Sequence, residues 1–252
     1  MALRIALIML FAGFMAGCVS TGHVDPLKTD EGRDQARDAY IQLGLGYVRQ
    51  GAASRAKTPL RKALEIDPRS ADAHAALALV FQTEMENELA DKHYREALSD
   101  RRDARILNNY GSFLFEQGRY QDAMERFRQA SEDNMYSERA RVFQNMGMTA
   151  LKLGQREQAE TYFNRALRLD GRQPGALLEL AELAYESGQY VPAKRYYDSF
   201  SALSEQNARS LLLGIRLAGI HGNRDSAASL ALQLKRLYPG SPEYKQFLSE
   251  QR

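Results

Sequence analysis

The chain has 252 residues, 44% hydrophobic and 26% charged, enough to bury a sizeable core. Its mean hydropathy of -0.49 argues against an integral membrane protein. Lys+Arg 34 against Asp+Glu 32 gives a formal charge of +2, too balanced for a surface built to neutralise nucleic-acid phosphates. A single Cys cannot form an internal disulfide, and with four scattered His it leaves little from which to build a zinc site.

Residues 1–17 form the first element. Arg4 is their only charged side chain, and Ile5 to Met15 is an apolar run interrupted by Gly13. That length suits a signal-peptide core, whereas a bilayer span needs about 20 residues. The run ends in Met15-Ala16-Gly17-Cys18, and small residues ahead of a Cys at this place resemble a bacterial lipobox, with Met15 in place of the usual Leu. The resemblance implies cleavage before Cys18 and a covalent lipid on its sulfur and new amino terminus. Acyl chains would then tether the domain, each buried CH₂ contributing about 0.8 kcal/mol. Val19 follows, where inner-membrane lipoproteins commonly carry Asp, so the implied address is the outer membrane, facing the periplasm. Residues 18–36 are polar, with Gly22, Pro26 and Gly32 among charged residues, and read as a flexible tether.

From about Arg37 to Ser241 the sequence repeats itself. Ala56, Ala90, Ala123, Ala159, Ala193 and Ala227 recur at spacings of 34, 33, 36, 34 and 34. Four residues after each lies a bulky one, Leu60, Tyr94, Phe127, Phe163 and Tyr197, replaced by Ala231 in the last unit. Upstream stands a pair ending in a small residue: Leu43-Gly44, Leu77-Ala78, Tyr110-Gly111, Met146-Gly147 and Leu180-Ala181, then Gly214-Ile215 with the order reversed. Turn glycines recur at Gly51, Gly118, Gly154, Gly188 and Gly222, with Met85 at that place in the second unit, and closing prolines survive as Pro68 and Pro239. Small residues let two antiparallel helices approach, the bulky one fills the space beside them, and Gly ends the first helix in a left-handed cap.

This pattern resembles the tetratricopeptide repeat. The resemblance implies an all-α, right-handed superhelical solenoid of six units, at about 37–70, 71–103, 104–139, 140–173, 174–207 and 208–241, with a C-terminal tail at 242–252. Two extra residues in the third unit, around Asp133–Glu138, read as a loop or a helical extension.

No nucleophile elbow or phosphate loop occurs, and Gly44-Leu45-Gly46 lacks the third Gly of a dinucleotide fingerprint. His74, His93 and His221 have no partner at helical spacing and read as surface or packing residues. The expectation is a non-enzyme, with no cofactor beyond the lipid on Cys18 and neither nucleic acid nor a small-molecule substrate as partner.

In tetratricopeptide proteins the first helix of each unit lines a concave groove through positions 2, 5, 9, 12 and 13. Carried over, these are Asp38, Ile41, Leu45, Val48 and Arg49 in the first unit, and Asp72, Ala75, Leu79, Gln82 and Thr83 in the second. Ile41, Leu45 and Val48 form one apolar stripe beside Leu43, Gly44 and Tyr47, which are assigned to the repeat core. Ile41, Leu45, Val48 and Leu79 are thus the candidate partner-binding groove, suited to an apolar or amphipathic segment. Later units are more polar, with Asn108 and Ser112, then Glu182 and Glu186, then Arg209 and Arg216. Asn109 and Asn145 share a repeat position where an amide packs or caps.

The segments Leu27-Lys28-Thr29-Asp30, Ala39 to Gly44, Asn207 to Gly214 and Leu237 to Ser241 resemble the type IV pilus biogenesis lipoproteins of the PilF/PilW kind. That resemblance implies a pilotin, a lipid-anchored adaptor that binds secretin subunits and promotes their outer-membrane localisation and multimerisation. A lipoprotein cofactor of peptidoglycan synthesis or of outer-membrane protein assembly is the alternative.

Overall fold

A computed structural model describes residues 26–251, and Cys18 with its leader lies outside them. Among the described residues there are thirteen α-helices, one short 3-10 turn at Pro26–Lys28, and no strand. The chain is all-α, as the period of its small residues implies, and divides into two compact units at Ala97/Leu98.

The N-terminal unit holds two antiparallel pairs: α1 (Asp30–Arg49) with α2 (Ala53–Ile66), and α3 (Ala71–Thr83) with α4 (Asn87–Ala97). The C-terminal unit holds four: α5 (Ala104–Glu116) with α6 (Tyr120–Ser131), α7 (Arg139–Lys152) with α8 (Arg156–Leu169), α9 (Pro174–Glu186) with α10 (Tyr190–Ser201), and α11 (Ala208–Ile220) with α12 (Arg224–Leu237). A last helix, α13 (Pro242–Glu250), follows them.

Each pair closes on a small residue facing a large one. A Cβ added at Gly44 would fall 2.5 Å from Leu60, and one at Gly111 2.6 Å from Phe127. Leu60, Tyr94, Phe127 and Phe163 are fully buried, each burial contributing about 1.5–3 kcal/mol. In the last pair the bulk changes sides: Ile215 is buried with Leu211, Leu212 and Leu234, and Ala231 packs against that cluster. Gly214 meanwhile leaves room for the hydroxyl of Tyr197. The five turn glycines all have φ between 70° and 73°, and Met85 adopts the same left-handed conformation at φ 61°.

Two expectations about the ends change. Residues 30–36, read as tether, are the first two turns of α1. Thr29 Oγ1 accepts from Gly32 N–H at 3.1 Å, Asp30 and Glu31 occupy the first turn, and Arg33 reaches the Ile66 carbonyl at 3.1 Å. The polar residues that suggested disorder are the cap and its charges. Residues 242–250, read as tail, are helix α13, started by Ser241 accepting from Tyr244 N–H at 3.1 Å and by Pro242 in the first turn. Tyr244 and Phe247 pack against the last apolar cluster. The insertion in the third unit is a loop between Ser131 and Arg139, with Met135 fully open to solvent and Arg139 Nε donating to the Ser131 carbonyl at 2.8 Å.

Gly111→Ala places a methyl group against the Phe127 ring and is expected to cost about 1–3 kcal/mol, read as a lower urea midpoint. Pairing it with Phe127→Leu should recover part of that loss. An additive double variant would mean that the two side chains do not share this contact.

Candidate partner-binding groove

The groove positions of the N-terminal unit sit on α1 and α3. Leu45, Val48 and Leu79 are half-buried, with Leu45 and Val48 packed on the cluster of Ala56, Leu60, Leu77 and Val80. Ile41 does not belong with them. It is only 4% exposed and packs with Ala63 and Ala73, because α3 lies against α1 and covers that turn. Leu43, assigned to the core, is 48% exposed, while the equivalent Leu77, Tyr110, Met146 and Leu180 are buried. Only the short turn at Pro26–Lys28 precedes α1 among the described elements. Gly44 and the partly buried Tyr47 do face the core. Asp38 is held by Arg37 at 2.8 Å, Gln82 accepts from the Tyr94 hydroxyl at 3.0 Å, and Thr83 donates to the Leu79 carbonyl at 2.9 Å.

In the C-terminal unit Asn108 is buried and accepts from Asn145 Nδ2 at 3.0 Å, so it joins α5 to α7 and is not a groove residue. Beside this amide pair lies a cavity of about 300 Å³ lined by Ser112, Phe115, Glu116, Phe127, Asn145 and Met148. Phe115, which is braced edge-on by Tyr120 at 5.3 Å, was missed from sequence. It occupies the repeat position that Val48 holds in the first unit, so applying that position to every repeat would have found it.

Towards the C-terminus the charged positions neutralise one another. Arg209 donates to both oxygens of the buried Glu179 at 2.9 Å and forks onto Glu182, with Nε to Oε1 at 2.7 Å. Hydrogen bonding to Glu179 raises the guanidinium pKa against the opposing effect of burial, while burial pushes the Glu182 carboxyl up against the pull of Arg209. Glu186 pairs with Arg156 at 2.5 Å, and Arg216 pairs with Glu250 of α13. The Arg216 bond holds the Glu250 carboxyl below its ordinary value. At these positions of the C-terminal unit a charged ligand would have to break existing pairs.

The fold also joins two histidines that sequence left apart. His74 and His93 place their Nδ1 atoms 2.9 Å apart with ring centroids 5.2 Å apart, and His93 stacks on Phe81 at 5.3 Å. His74 Nε2 donates to the Pro68 carbonyl at 3.1 Å, so in the neutral pair His93 Nδ1–H donates to His74 Nδ1. The described residues contain no group of three or more His, Cys, Asp or Glu able to hold a metal ion. None of the described helices is long and apolar enough to cross a membrane.

Tetratricopeptide-repeat models match residues 102–172 and 145–208. With six helix pairs, three of them closed by a bulky side chain over Gly44, Gly111 or Gly147, the chain is a tetratricopeptide-repeat protein. It is 60% identical over 251 residues to the type IV pilus assembly protein PilF of Pseudomonas aeruginosa, covering 99% of this chain and 100% of that one. A solved structure of Pseudomonas aeruginosa PilF, 61% identical, superposes with a TM-score of 0.85 over 87% of this chain and 99% of its own. PilW, a widely conserved type IV pilus biogenesis factor, superposes at 0.73 with 31% identity, over 85% of this chain and 99% of its own. This chain belongs to the PilF family of type IV pilus assembly proteins.

Burial above all, with the electrostatic effects of His74 and Lys92 behind it, lowers the His93 pKa from 6.5 to about 4, with Glu96 opposing. Because the folded value lies below the unfolded one, the contribution of neutral His93 is fully present above about pH 6.5 and is lost as pH falls towards 4. His93→Gln should therefore flatten the fall in urea midpoint between pH 7 and about 4.5, relative to the parent. Identical pH slopes would assign the acid loss to other groups.

Proposed function

We propose that this protein is a pilotin of the type IV pilus machinery: an outer-membrane lipoprotein that binds secretin subunits and promotes their localisation and multimerisation. The observation that carries the reading is the identity to PilF along essentially the whole of both chains, which shows membership of a pilus assembly family. Cys18 supports the lipid anchor, standing as the only Cys of the chain at the end of an apolar leader. Its acyl chains hold the repeats at the inner leaflet of the outer membrane, facing the periplasm.

The adaptor step needs a surface that takes up a segment of a subunit without doing chemistry on it. Leu45, Val48 and Leu79 supply half-buried apolar contacts on the first helices of the N-terminal unit. Within the C-terminal unit the corresponding charged positions are paired internally, which disfavours charged segments there. An apolar or amphipathic stretch of the secretin lies on Leu45, Val48 and Leu79, and the lipid then carries the pair to the membrane.

Leu45→Asp combined with Leu79→Asp should weaken secretin capture by about tenfold or more. Twitching motility and detergent-resistant secretin multimers should fall while the helical circular-dichroism signal stays. Unchanged capture with a folded variant would remove the groove from the mechanism. Cys18→Ser should release the protein from the membrane fraction and leave secretin multimers misplaced. Normal outer-membrane multimers in that strain would contradict the anchor.

A further inference from the structure

A cleft of about 480 Å³ opens between α10 and α12, away from the groove positions just described. Its floor is aliphatic: Leu217 and Ala218 are buried, Leu230 is half-buried, and Gly214 lets both Leu230 and the Tyr197 hydroxyl approach the α11 backbone. The opening has a cause in the sequence. Ser226 and Ser229 stand where the third repeat has Asp122 and Glu125 and the fifth has Pro192 and Arg195. With such short side chains α12 does not fill the space in front of α10.

The wall of the cleft is already fixed. Tyr197 donates to Gln206 Oε1 at 3.2 Å, Gln206 Nε2 donates to Ser201 Oγ at 2.8 Å, and the Tyr238 hydroxyl holds the Gln206 carbonyl at 3.1 Å. Lys194 and Asp198, the charged pair at the rim, neutralise each other at 2.6 Å. Asn223 Oδ1 is used by the Ser226 N–H at 3.0 Å, whereas its amide N–H₂ and the hydroxyls of Ser226 and Ser229 engage no other side chain among the described residues. A preformed concavity with an apolar floor and a few neutral polar groups is the general form of a binding site.

We infer that this cleft is a second docking site, which takes a short, uncharged, extended segment of a partner protein and seats one aliphatic side chain on Leu217, Ala218 and Leu230. The paired rim charges offer nothing to an ionic ligand. Serine hydroxyls and the Asn223 amide suit peptide carbonyls and N–H groups. Three extended residues span roughly 10 Å, and the volume accepts them. A saccharide is the less suitable occupant, since of the two rings that line the cleft Tyr197 is 8% exposed and offers no open face, which leaves the small imidazole of His221 as the stacking surface. The site is separate from Leu45, Val48 and Leu79 and does not rest on the pilotin reading.

The test uses the full chain, isotope-labelled for amide chemical shifts, with the blocked peptide Ac-Ser-Ala-Leu-Ala-Ser-NH₂ as probe. Amides of residues 214–230 should shift on titration. Replacing the central Leu of the peptide by Asp should weaken binding by about tenfold or more. Ser229→Trp, at an exposed position, and Ser226→Gln should each fill the cleft and weaken the Leu peptide by a similar factor, while circular dichroism stays unchanged. Leu45→Asp should leave the titration as it was. Shifts that survive both filling variants, equal binding of the Asp peptide, or stronger shifts with N,N′-diacetylchitobiose than with the Leu peptide would each overturn the assignment.

Discussion

The contact on which this molecule depends is the exchange of bulk between two helices of one repeat. Where the first helix has Gly or Ala, the second has Leu, Tyr or Phe, and where the first has Ile215 the second has Ala231. Helix axes can approach closely only if one of the facing side chains is small, and the volume then has to be filled from the other side. Gly111 under Phe127 and Ile215 over Ala231 solve the same packing problem with opposite assignments. Every pair consequently leaves its first helix able to present the same repeat positions to a partner.

The last repeat carries the consequences furthest. Beside this reversal, Ser226 and Ser229 give α12 short side chains on the face towards α10, where the cleft opens. The same reversal puts Gly214 one residue earlier, where it receives the Tyr197 hydroxyl from the preceding repeat. Helix α13 then covers the apolar cluster that a further repeat would otherwise bury, and Arg216–Glu250 ties it down. Solenoid ends need such a cover because each unit relies on its neighbour for burial.

Charge is handled locally. Arg209 is shared between Glu179 and Glu182, Arg156 pairs with Glu186, and Arg37 with Asp34 and Asp38. Glu179 is buried, so losing Arg209 would strand a carboxylate and not merely an exposed surface pair. The half-buried Leu45, Val48 and Leu79 stand out against this background as an apolar group on α1 and α3.

The period of small residues, the turn glycines and the small-against-large pairs were legible in the sequence, since each expresses a backbone or packing requirement inside one repeat. They determined the helix pairs, their order and the all-α class. Contacts between repeats were not legible, because they depend on which turn of one helix another covers. Tertiary structure decided that Ile41 is core, that Asn108 bonds Asn145, that His74 meets His93, and that Glu182 and Arg209 satisfy each other. It also turned polar residues 30–36 into a capped helical start and residues 242–250 into a packed helix. Short-range periodicity specifies a repeat, but a side chain becomes core or groove only when the neighbouring helix takes its place.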